Sequence, residues 1–413
     1  MGCTKLIYKI KSITEHLKIL VKWLIIASVL GILGGIIGSA FHFSVDYVTE
    51  IRDHNLWLIF LLPVGAVIIT AIYDMFKSKG KLDTDRVINS VITDEKVPLI
   101  MAPLIFVSTV ITHLLGGSAG REGAALQLGG SIGYNLGKLF RLDNHDIHLI
   151  VMSGMSAVFS ALFGTPVAAA FFALEVSNVG IFHYAGLVPC LIASSSAFLT
   201  SCLFGISPVR FDIVSNIDFS AISLGKIIIL ALFCALVSIS FCSAIKFTEN
   251  LSKKFFPNRY LRGIVGGGML VLLTILLRTY DYNGAGMNII SRAINGDAKY
   301  EAFLLKILFT AITISAGFKG GEIVPTFFIG ATFGCVMGQI LGLNTSLSAA
   351  LGFSALFCGV VNCPVASVLL AAEIFGADGI LSYAIVCGIC YMMSGKFSLY
   401  KSQKLAFSKL YEE

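Results

Sequence analysis

Ten apolar stretches, several of them as long as a membrane is thick, constrain this chain more than any other feature of its sequence. They cover residues 23–43, 57–73, 97–115, 184–204, 227–244, 264–277, 302–318, 325–343, 347–361 and 383–393. A helix needs roughly 20 apolar residues to cross the hydrocarbon core of a bilayer. Because 56% of the 413 residues are hydrophobic and only 13% are charged, the sequence predicts an all-α polytopic protein embedded in a lipid bilayer.

Several of these stretches are short, or are interrupted by Gly and Pro. Irregular backbone at membrane depth is tolerated only where protein or a water-filled cavity surrounds it. We therefore expect broken or re-entrant helices that meet inside the protein, as they do around the ion sites of secondary transporters.

Basic residues cluster before the first stretch, at residues 77–81 and 253–262, and near the C-terminus. Lys and Arg concentrate in cytoplasmic segments of membrane proteins, so the sequence predicts a multi-pass protein of the cell membrane with both termini in the cytoplasm. The first apolar stretch is too long for a cleavable signal peptide. We interpret the net charge of +6 as an orientation signal, and we expect no nucleic-acid partner.

Residues 116–140 place charge in a glycine-rich, otherwise apolar part of the chain. Glu122 lies where a helix is predicted to begin, with Gly120 two residues before it and Gly123 directly after it. Unpaired N–H groups at a helix N-terminus attract anions, and glycine lets an ion approach them closely. An ionised Glu122 would occupy the anion's place and a protonated one would leave it, so the residue would act as a gate. The alternative is that Glu122 only caps its helix and pairs with Arg121.

Two motifs recur in the second half of the chain. Residues 163–175 resemble residues 361–373 at an offset of 198, and the glycine-rich helix start recurs at an offset of 200, which aligns Glu122 with Glu322. Nearly equal offsets favour one duplicated unit over chance similarity between apolar helices. Because duplicated units place the ion site of a transporter at their interface, we expect Glu122 and Glu322 to face one shared pathway.

These motifs resemble those of the CLC family of chloride channels and anion/proton antiporters. The stretch GREGAALQLGGSIG from Gly120 is similar to the family's GREGP-type motif, GGEIVP from Gly320 is similar to its GxFxP helix start, and Tyr400 stands where the family keeps a pore-lining tyrosine. The resemblance extends from about Trp23 to Tyr400. It implies the CLC fold of two inverted-topology repeats, a homodimer with one pore in each subunit, and Glu122 as the gating glutamate that also carries the proton.

The predicted division of the chain follows from this resemblance. It comprises a cytoplasmic N-terminal segment, a first inverted repeat, a linker, a second inverted repeat and a cytoplasmic tail, at residues 1–22, 23–206, 207–221, 222–400 and 401–413. We expect the dimer interface at residues 184–204 and 380–393.

Three departures from the chloride-transporting members bear on selectivity. The GSGIP loop, whose serine binds chloride, is replaced by residues 80–87; Val176 stands in place of the inner proton-transfer glutamate; and Glu322 lies in the second helix start. Together they look like the fluoride/proton antiporter branch, although the methionine that this branch often carries is missing from residues 77–87. The resemblance therefore implies exchange of fluoride for protons, with a chloride/proton antiporter or chloride channel of the same fold as the alternative.

Fluoride is small and strongly hydrated, so its pore must supply good hydrogen-bond donors. We expect these from backbone N–H groups at both helix starts, from the Tyr400 hydroxyl and from a protonated carboxyl. Glu322 is expected to be protonated for part of the cycle, because a second ionised carboxylate would repel the anion. Thr84 either offers a hydroxyl to the ion or is a plain turn residue. The predicted anion-binding residues are Gly120, Arg121, Gly123, Thr84, Gly321, Ile323, Val324 and Tyr400.

The remaining polar residues of the apolar segments receive mainly structural interpretations. Glu175 and Glu373 are expected to hold the architecture together. We expect His113 to be packed or to cap a helix, with proton relay as the alternative, and Lys319 to attract anions or to extend towards the membrane surface. The sequence lacks a Cys/His cluster with metal spacing and a nucleophile with a matching base, so it predicts no cofactor and no enzymatic activity.

Overall fold

Apolar segments form helices in this chain because a helix satisfies its own backbone hydrogen bonds without water. In the computed structural model of the protein, the described residues are 2–76, 82–213, 220–406 and 409, with side chains described from residue 13 onward. Within these ranges the chain forms 16 α-helices and one pair of two-residue strands. Seven of the helices in the described part are long and apolar enough to cross a membrane.

The helices fall into two sets of eight. The first set is α1 (Gly2–His54), α2 (Leu62–Met75), α3 (Thr84–Ile92), α4 (Met101–Leu114), α5 (Glu122–Leu139), α6 (Asn144–Phe163), α7 (Pro166–Glu175) and α8 (Leu187–Leu203). The second set is α9 (Ala221–Phe255), α10 (Arg259–Leu277), α11 (Met287–Ile294), α12 (Ala302–Ala316), α13 (Ile323–Leu341), α14 (Thr345–Val361), α15 (Pro364–Phe375) and α16 (Ile380–Met393). Strand β1 (Asn178–Val179), after α7, pairs in parallel with β2 (Lys404–Leu405), after α16.

One predicted segment and parts of three others lie outside the described residues. They are the basic cluster at residues 77–81, the start of the loop 80–87, much of the linker 207–221 and the end of the tail 401–413. The predicted boundary between residues 22 and 23 falls inside α1, which is one continuous helix.

The two sets of helices repeat one another. Helices α4 and α12 begin 201 residues apart, as do α5 and α13, and α6 and α14, whereas α7 and α15 begin 198 residues apart. The duplication predicted from the motifs therefore extends over four consecutive helices of each set. The prediction that Glu122 aligns with Glu322 is wrong by one residue: Glu322 precedes α13 as Arg121 precedes α5, and Glu122 is equivalent to Ile323. Glycine-rich segments can be aligned in more than one register, and the sequence alone did not distinguish an offset of 200 from one of 201.

Helix α6 is a central helix that the sequence analysis missed as an apolar stretch. It is 20 residues long, and 94% of its most apolar window is buried inside the protein. Its first turn is polar, with His145, Asp146 and His148, which lowers the local hydropathy.

Glycines allow the closest helix crossings, one in each repeat. A Cβ atom on Gly129 in α5 would overlap the carbonyl of Gly154 in α6, and one on Gly330 in α13 would overlap that of Gly352 in α14. Small residues let membrane helices approach at backbone distance, where packing replaces the hydrophobic effect as the source of stability. These crossings fix α5 and α13 relative to their own repeats.

Two glutamates join the repeats to each other. Glu175, the last residue of α7, accepts hydrogen bonds from the N–H groups of Val365 (3.2 Å) and Ala366 (2.8 Å) at the start of α15. Glu373 near the end of α15 accepts one from the N–H of Ala168 at 2.8 Å, at the start of α7. Each carboxylate thus satisfies free N–H groups at a helix start, in line with the structural role predicted for both residues.

Candidate functional site

The two glycine-rich helix starts meet at the centre of the protein. Gly120 and Gly321 exchange two backbone hydrogen bonds, each with an N···O distance of 2.7 Å, as an antiparallel bridge. A Cβ atom on Gly321 would overlap the backbone nitrogen of Gly123. Only glycine therefore permits this contact, which points the N-termini of α5 and α13 at the same region.

Glu122 lies in the combined field of both helix N-termini. Its side chain is 1% exposed, and its carboxylate lies near the backbone N–H groups of Arg121 and of Glu122 itself in the first repeat and of Val324 in the second. Oxygen Oε2 has no hydrogen-bond partner among the described residues. A negative group at such a position is stabilised by N–H groups and helix dipoles, so the carboxylate occupies a place that suits an anion.

Glu322 makes the reciprocal approach from the second repeat. It is the residue before α13, and its Oε2 lies 3.6 Å from the point where a Cβ of Gly123 would be. Its carboxylate also senses the charges of Asp85 and Lys319. Each helix start therefore carries a carboxylate that lies near the start of the other helix. The two glutamates nevertheless occupy positions one residue apart in the repeat.

Arg121 is held away from the anion position by a carboxylate of α1. Its Nη1 donates to Asp46 Oδ1 at 2.9 Å, whereas its Nε is 4.0 Å from Glu122 Oε1. Asp46 is also paired with His42, at 3.0 Å. These contacts fit a residue that anchors the loop beside Glu122.

A cavity of about 440 Å³, which we call the Glu122 cavity, reaches Glu122 from one side. Its polar lining includes Arg52, His113, Arg121 and Asn283. A second cavity of about 550 Å³, the Lys319 cavity, is lined by Lys319 and by residues from the end of α2. The Glu122 cavity touches Leu56, shortly before α2 begins. The two cavities therefore lie at opposite ends of α2, a helix about 21 Å long at 1.5 Å per residue.

Tyr400 is buried within electrostatic range of both carboxylates. It is 5% exposed, and its hydroxyl has no hydrogen-bond partner among the described residues. Its surroundings include the charges of Glu322, Asp85 and Glu122. The segment that follows is fixed to α3, because the N–H and hydroxyl of Ser402 donate to Asp85 Oδ1 at 2.9 and 2.7 Å. The Tyr400 hydroxyl is therefore a buried group without a partner in the described part of the chain, within electrostatic range of both glutamates.

Thr84 begins α3, and its hydroxyl is oriented by a side chain of α5. Gln127 Nε2 donates to Thr84 Oγ1 at 2.9 Å, so the threonine oxygen acts as acceptor and its own hydrogen remains available. Asp83, the preceding residue, caps α3 by accepting from the N–H of Arg86 at 3.1 Å. The turn is therefore stabilised by Asp83, and Thr84 retains a donor.

Six of the eight predicted anion-binding residues lie at the starts of α5 and α13, whereas Thr84 begins α3 and Tyr400 follows α16. Gly120, Arg121 and Gly123 surround the start of α5, and Gly321, Ile323 and Val324 surround the start of α13. Ile323 and Val324 are buried and apolar, so the hydrogen-bond donors that they offer are their backbone N–H groups.

Lys306 is a buried charge that the sequence analysis overlooked. It is 0% exposed in α12, and its Nζ donates to the carbonyl oxygens of Tyr282 (3.2 Å) and Gly284 (2.7 Å). Among the described residues no carboxylate lies within ion-pair distance of it. Ionisable groups inside a membrane are functional hypotheses by default. Lys306 is the only basic residue in the apolar stretch 302–316, and this isolated charge was the sequence signal that could have identified it.

His113 and Lys319 both have partners in the structure. His113 is 1% exposed, with Nδ1 2.9 Å from the carbonyl of Thr109, while Nε2 has no hydrogen-bond partner in the described part of the chain. Lys319 Nζ lies 4.5 Å from the centre of the Tyr73 ring, a cation–π contact. Within the described ranges, no group of three His, Cys, Asp or Glu side chains is placed to hold a metal ion.

Comparison with known proteins identifies relatives over nearly the whole chain. The family described as voltage gated chloride channel matches residues 65–395. A chloride/fluoride channel protein of Pseudomonas syringae pv. tomato is 32% identical over 402 residues, which cover 96% of this chain and 89% of the relative. An H⁺/Cl⁻ exchange transporter of Vibrio cholerae is 25% identical over 395 residues, which cover 85% of this chain and 81% of the relative.

Solved structures are similar over most of their length. A CLC-type fluoride/proton antiporter superposes with a TM-score of 0.89 at 33% identity, covering 94% of this chain and 98% of the other. A slow cyanobacterial Cl⁻/H⁺ antiporter superposes with a TM-score of 0.77 at 18% identity, covering 90% and 94%, and at that identity it shows the fold alone. The predicted fold of two inverted repeats is confirmed.

Proposed function

This chain belongs to the CLC family, described as voltage gated chloride channels, and we propose that it exports fluoride from the cell in exchange for protons. The observation that carries this proposal is the pair of carboxylates, Glu122 and Glu322, which lean over each other's helix starts. A channel that only conducts an anion has no need of a second carboxylate on its path. A coupled exchanger needs groups that bind both the anion and the proton.

In the proposed cycle, Glu122 is the gate. Its ionised carboxylate is stabilised by the N–H groups of Arg121, Glu122 and Val324. Protonation neutralises the carboxylate and weakens its attraction to these N–H groups. Fluoride then replaces the carboxylate at the helix starts, where charge-assisted hydrogen bonds offset the loss of its water. Return of the carboxylate releases the anion and the proton in opposite directions.

Glu322 serves the same ion path from the second repeat. In its protonated form it donates a hydrogen bond to fluoride together with the unpaired hydroxyl of Tyr400. In its ionised form it accepts the proton for onward transfer and repels an anion that would return. Val176, which is buried, cannot bind a proton, so proton and anion share the path that contains Glu122, Glu322 and Tyr400.

The names of the relatives support fluoride as the anion. The Pseudomonas relative is named a chloride/fluoride channel protein, and the antiporter structure at 33% identity is named a fluoride/proton antiporter. Chloride exchange or chloride conduction is the second candidate. It is favoured by Thr84, which lies in the segment that replaces the family's chloride-binding loop and whose hydroxyl hydrogen is free to bind an anion.

The proposed assembly is a homodimer in the cell membrane with both termini in the cytoplasm. Helices α8 and α16 are the proposed interface, because each exposes apolar side chains such as Leu199 and Leu381. The proposed units remain a first repeat at residues 23–206 and a second at 222–400. The basic residues between α9 and α10 are then cytoplasmic, and the Lys319 cavity opens towards the cytoplasm.

Anion efflux from proteoliposomes tests the proposal. Ion-selective electrodes follow fluoride and chloride separately while a dye reports internal pH. We expect fluoride efflux with opposed proton movement and little chloride flux. Chloride flux of similar size would favour chloride exchange or conduction, the second candidate. Fluoride flux without proton movement would show that the protein is a channel and not an exchanger.

A further inference from the structure

The Lys319 cavity carries more positive than negative charge. Four cationic and two acidic side chains line it: Lys253, Arg259, Arg262 and Lys319 with Asp74 and Asp83. With about 550 Å³, it is far larger than a single fluoride ion. Its size and charge suit a polyatomic anion.

Most of these cations already have a partner, and Arg262 is the exception. Arg259 Nη1 is 3.4 Å from Asp74 Oδ1, Lys253 is paired with Glu249, and Lys319 stacks on Tyr73. The Nε of Arg262 is buried and has no hydrogen-bond partner among the described residues. A buried donor without a partner is unfavourable, and a phosphate oxygen is the acceptor that a guanidinium group binds best.

An apolar groove continues from the same cavity. It has a volume of about 220 Å³ and runs between α9 and α10, lined by Leu251, Phe255 and Met269 among others. It shares Arg262 and Ala316 with the Lys319 cavity. Arg262 therefore stands at the junction between a cationic cavity and an apolar groove.

The position of the groove makes it accessible to lipid. Helix α10 is among the least buried of the membrane helices, with 28% of its apolar window buried inside the protein. Leu251, Phe255 and Met269 are each more than 40% exposed. The groove lies beside α9 and α10, apart from the proposed interface of α8 and α16.

We propose that the Lys319 cavity and its groove bind one anionic phospholipid. The phosphate is held by Arg262 and the neighbouring cations, and an acyl chain lies along α9 and α10. Basic pockets between membrane helices select anionic headgroups in this way, and the apolar groove favours a lipid over free phosphate. None of the predicted anion-binding residues at the two helix starts lines this cavity.

The test uses the full-length protein in a neutral detergent. Phosphatidylglycerol, phosphatidylcholine with the same acyl chains, and inorganic phosphate are added separately, while native mass spectrometry counts bound lipid and thermal unfolding reports stabilisation. We expect phosphatidylglycerol to bind and to raise the unfolding temperature, and Arg262→Gln to weaken its binding about tenfold, the loss of one charge-assisted hydrogen bond. Arg278→Gln, an exposed change at the opposite end of α10, is the matched control and should retain binding.

A second variant separates the acyl chain from the headgroup. Leu251→Trp fills the groove and leaves every cation in place, so it should reduce lipid binding even if Arg262→Gln fails to fold. Stabilisation by inorganic phosphate equal to that by phosphatidylglycerol would make this a site for a free anion and overturn the proposal. Equal binding of phosphatidylcholine, or unchanged binding in Leu251→Trp, would also overturn it.

Discussion

The reciprocal caps between α7 and α15 lead to a quantitative prediction about how the two repeats are held together. Replacing Glu175 by Ala removes two hydrogen bonds to N–H groups of α15 and leaves these groups without acceptors. Hydrogen bonds to a charged group contribute about 1.5–3 kcal/mol each. We therefore expect Glu175→Ala to lower the free energy of unfolding by roughly 3–5 kcal/mol, a little less than the full sum because water reaches part of the site.

The equivalent change on the other side should have a smaller effect. Glu373 makes two similar hydrogen bonds, at 3.0 and 2.8 Å, but its side chain is half-buried whereas Glu175 is 6% exposed. Solvent replaces lost hydrogen bonds more easily at a partly exposed position. We expect Glu373→Ala to lower the free energy of unfolding by about 1–3 kcal/mol. Glu175→Ala should therefore be the more destabilising of the two substitutions.

Unfolding by sodium dodecyl sulfate, followed by circular dichroism, measures these differences. Glu95→Gln is the control, because Glu95 is exposed and its contact with Arg86 is long, at 3.6 Å. Ion pairs with an exposed carboxylate contribute little, about 0–1 kcal/mol. The reasoning is refuted if Glu175→Ala destabilises the protein no more than Glu95→Gln does. If Glu373→Ala destabilised the protein more than Glu175→Ala does, burial would not determine which hydrogen bonds stabilise it more.

The other predictions concern transport and use the proteoliposome assay. Glu122→Gln cannot ionise, so we expect proton movement to fall to the level of empty liposomes; full proton-coupled turnover would contradict the gate. Glu322→Gln still offers a hydrogen-bond donor but cannot carry a proton, so fluoride flux should persist with fewer protons per anion, and unchanged stoichiometry would exclude the residue from the proton path. Gly321→Ala places a Cβ against the backbone of Gly123, so it should stop transport while gel filtration shows an intact protein. Gly268→Ala, which meets no atom within 4 Å, is its control and should transport normally.

The structure also explains why part of the site was predictable. A helix N-terminus presents free N–H groups whatever its surroundings, so the glycine-rich start with Glu122 indicated an anion position by local chemistry alone. The duplicated motifs indicated a second start for the same reason. What the motifs left undecided was their register, and the bridge between Gly120 and Gly321 decided it in favour of an offset of 201.

The sequence by itself determined six of the seven helices in the described residues that are long enough to cross a membrane, the duplication and the chemistry of the candidate site, because hydrophobicity and helix termini are properties of short segments. Only the tertiary structure decided which segments meet. It placed Glu175 on the start of α15, Gln127 against Thr84, and Lys306 on carbonyl groups 22 and 24 residues away. These contacts depend on how helices that are distant in the chain pack against each other, and side-chain spacing within one helix carries no information about its partner.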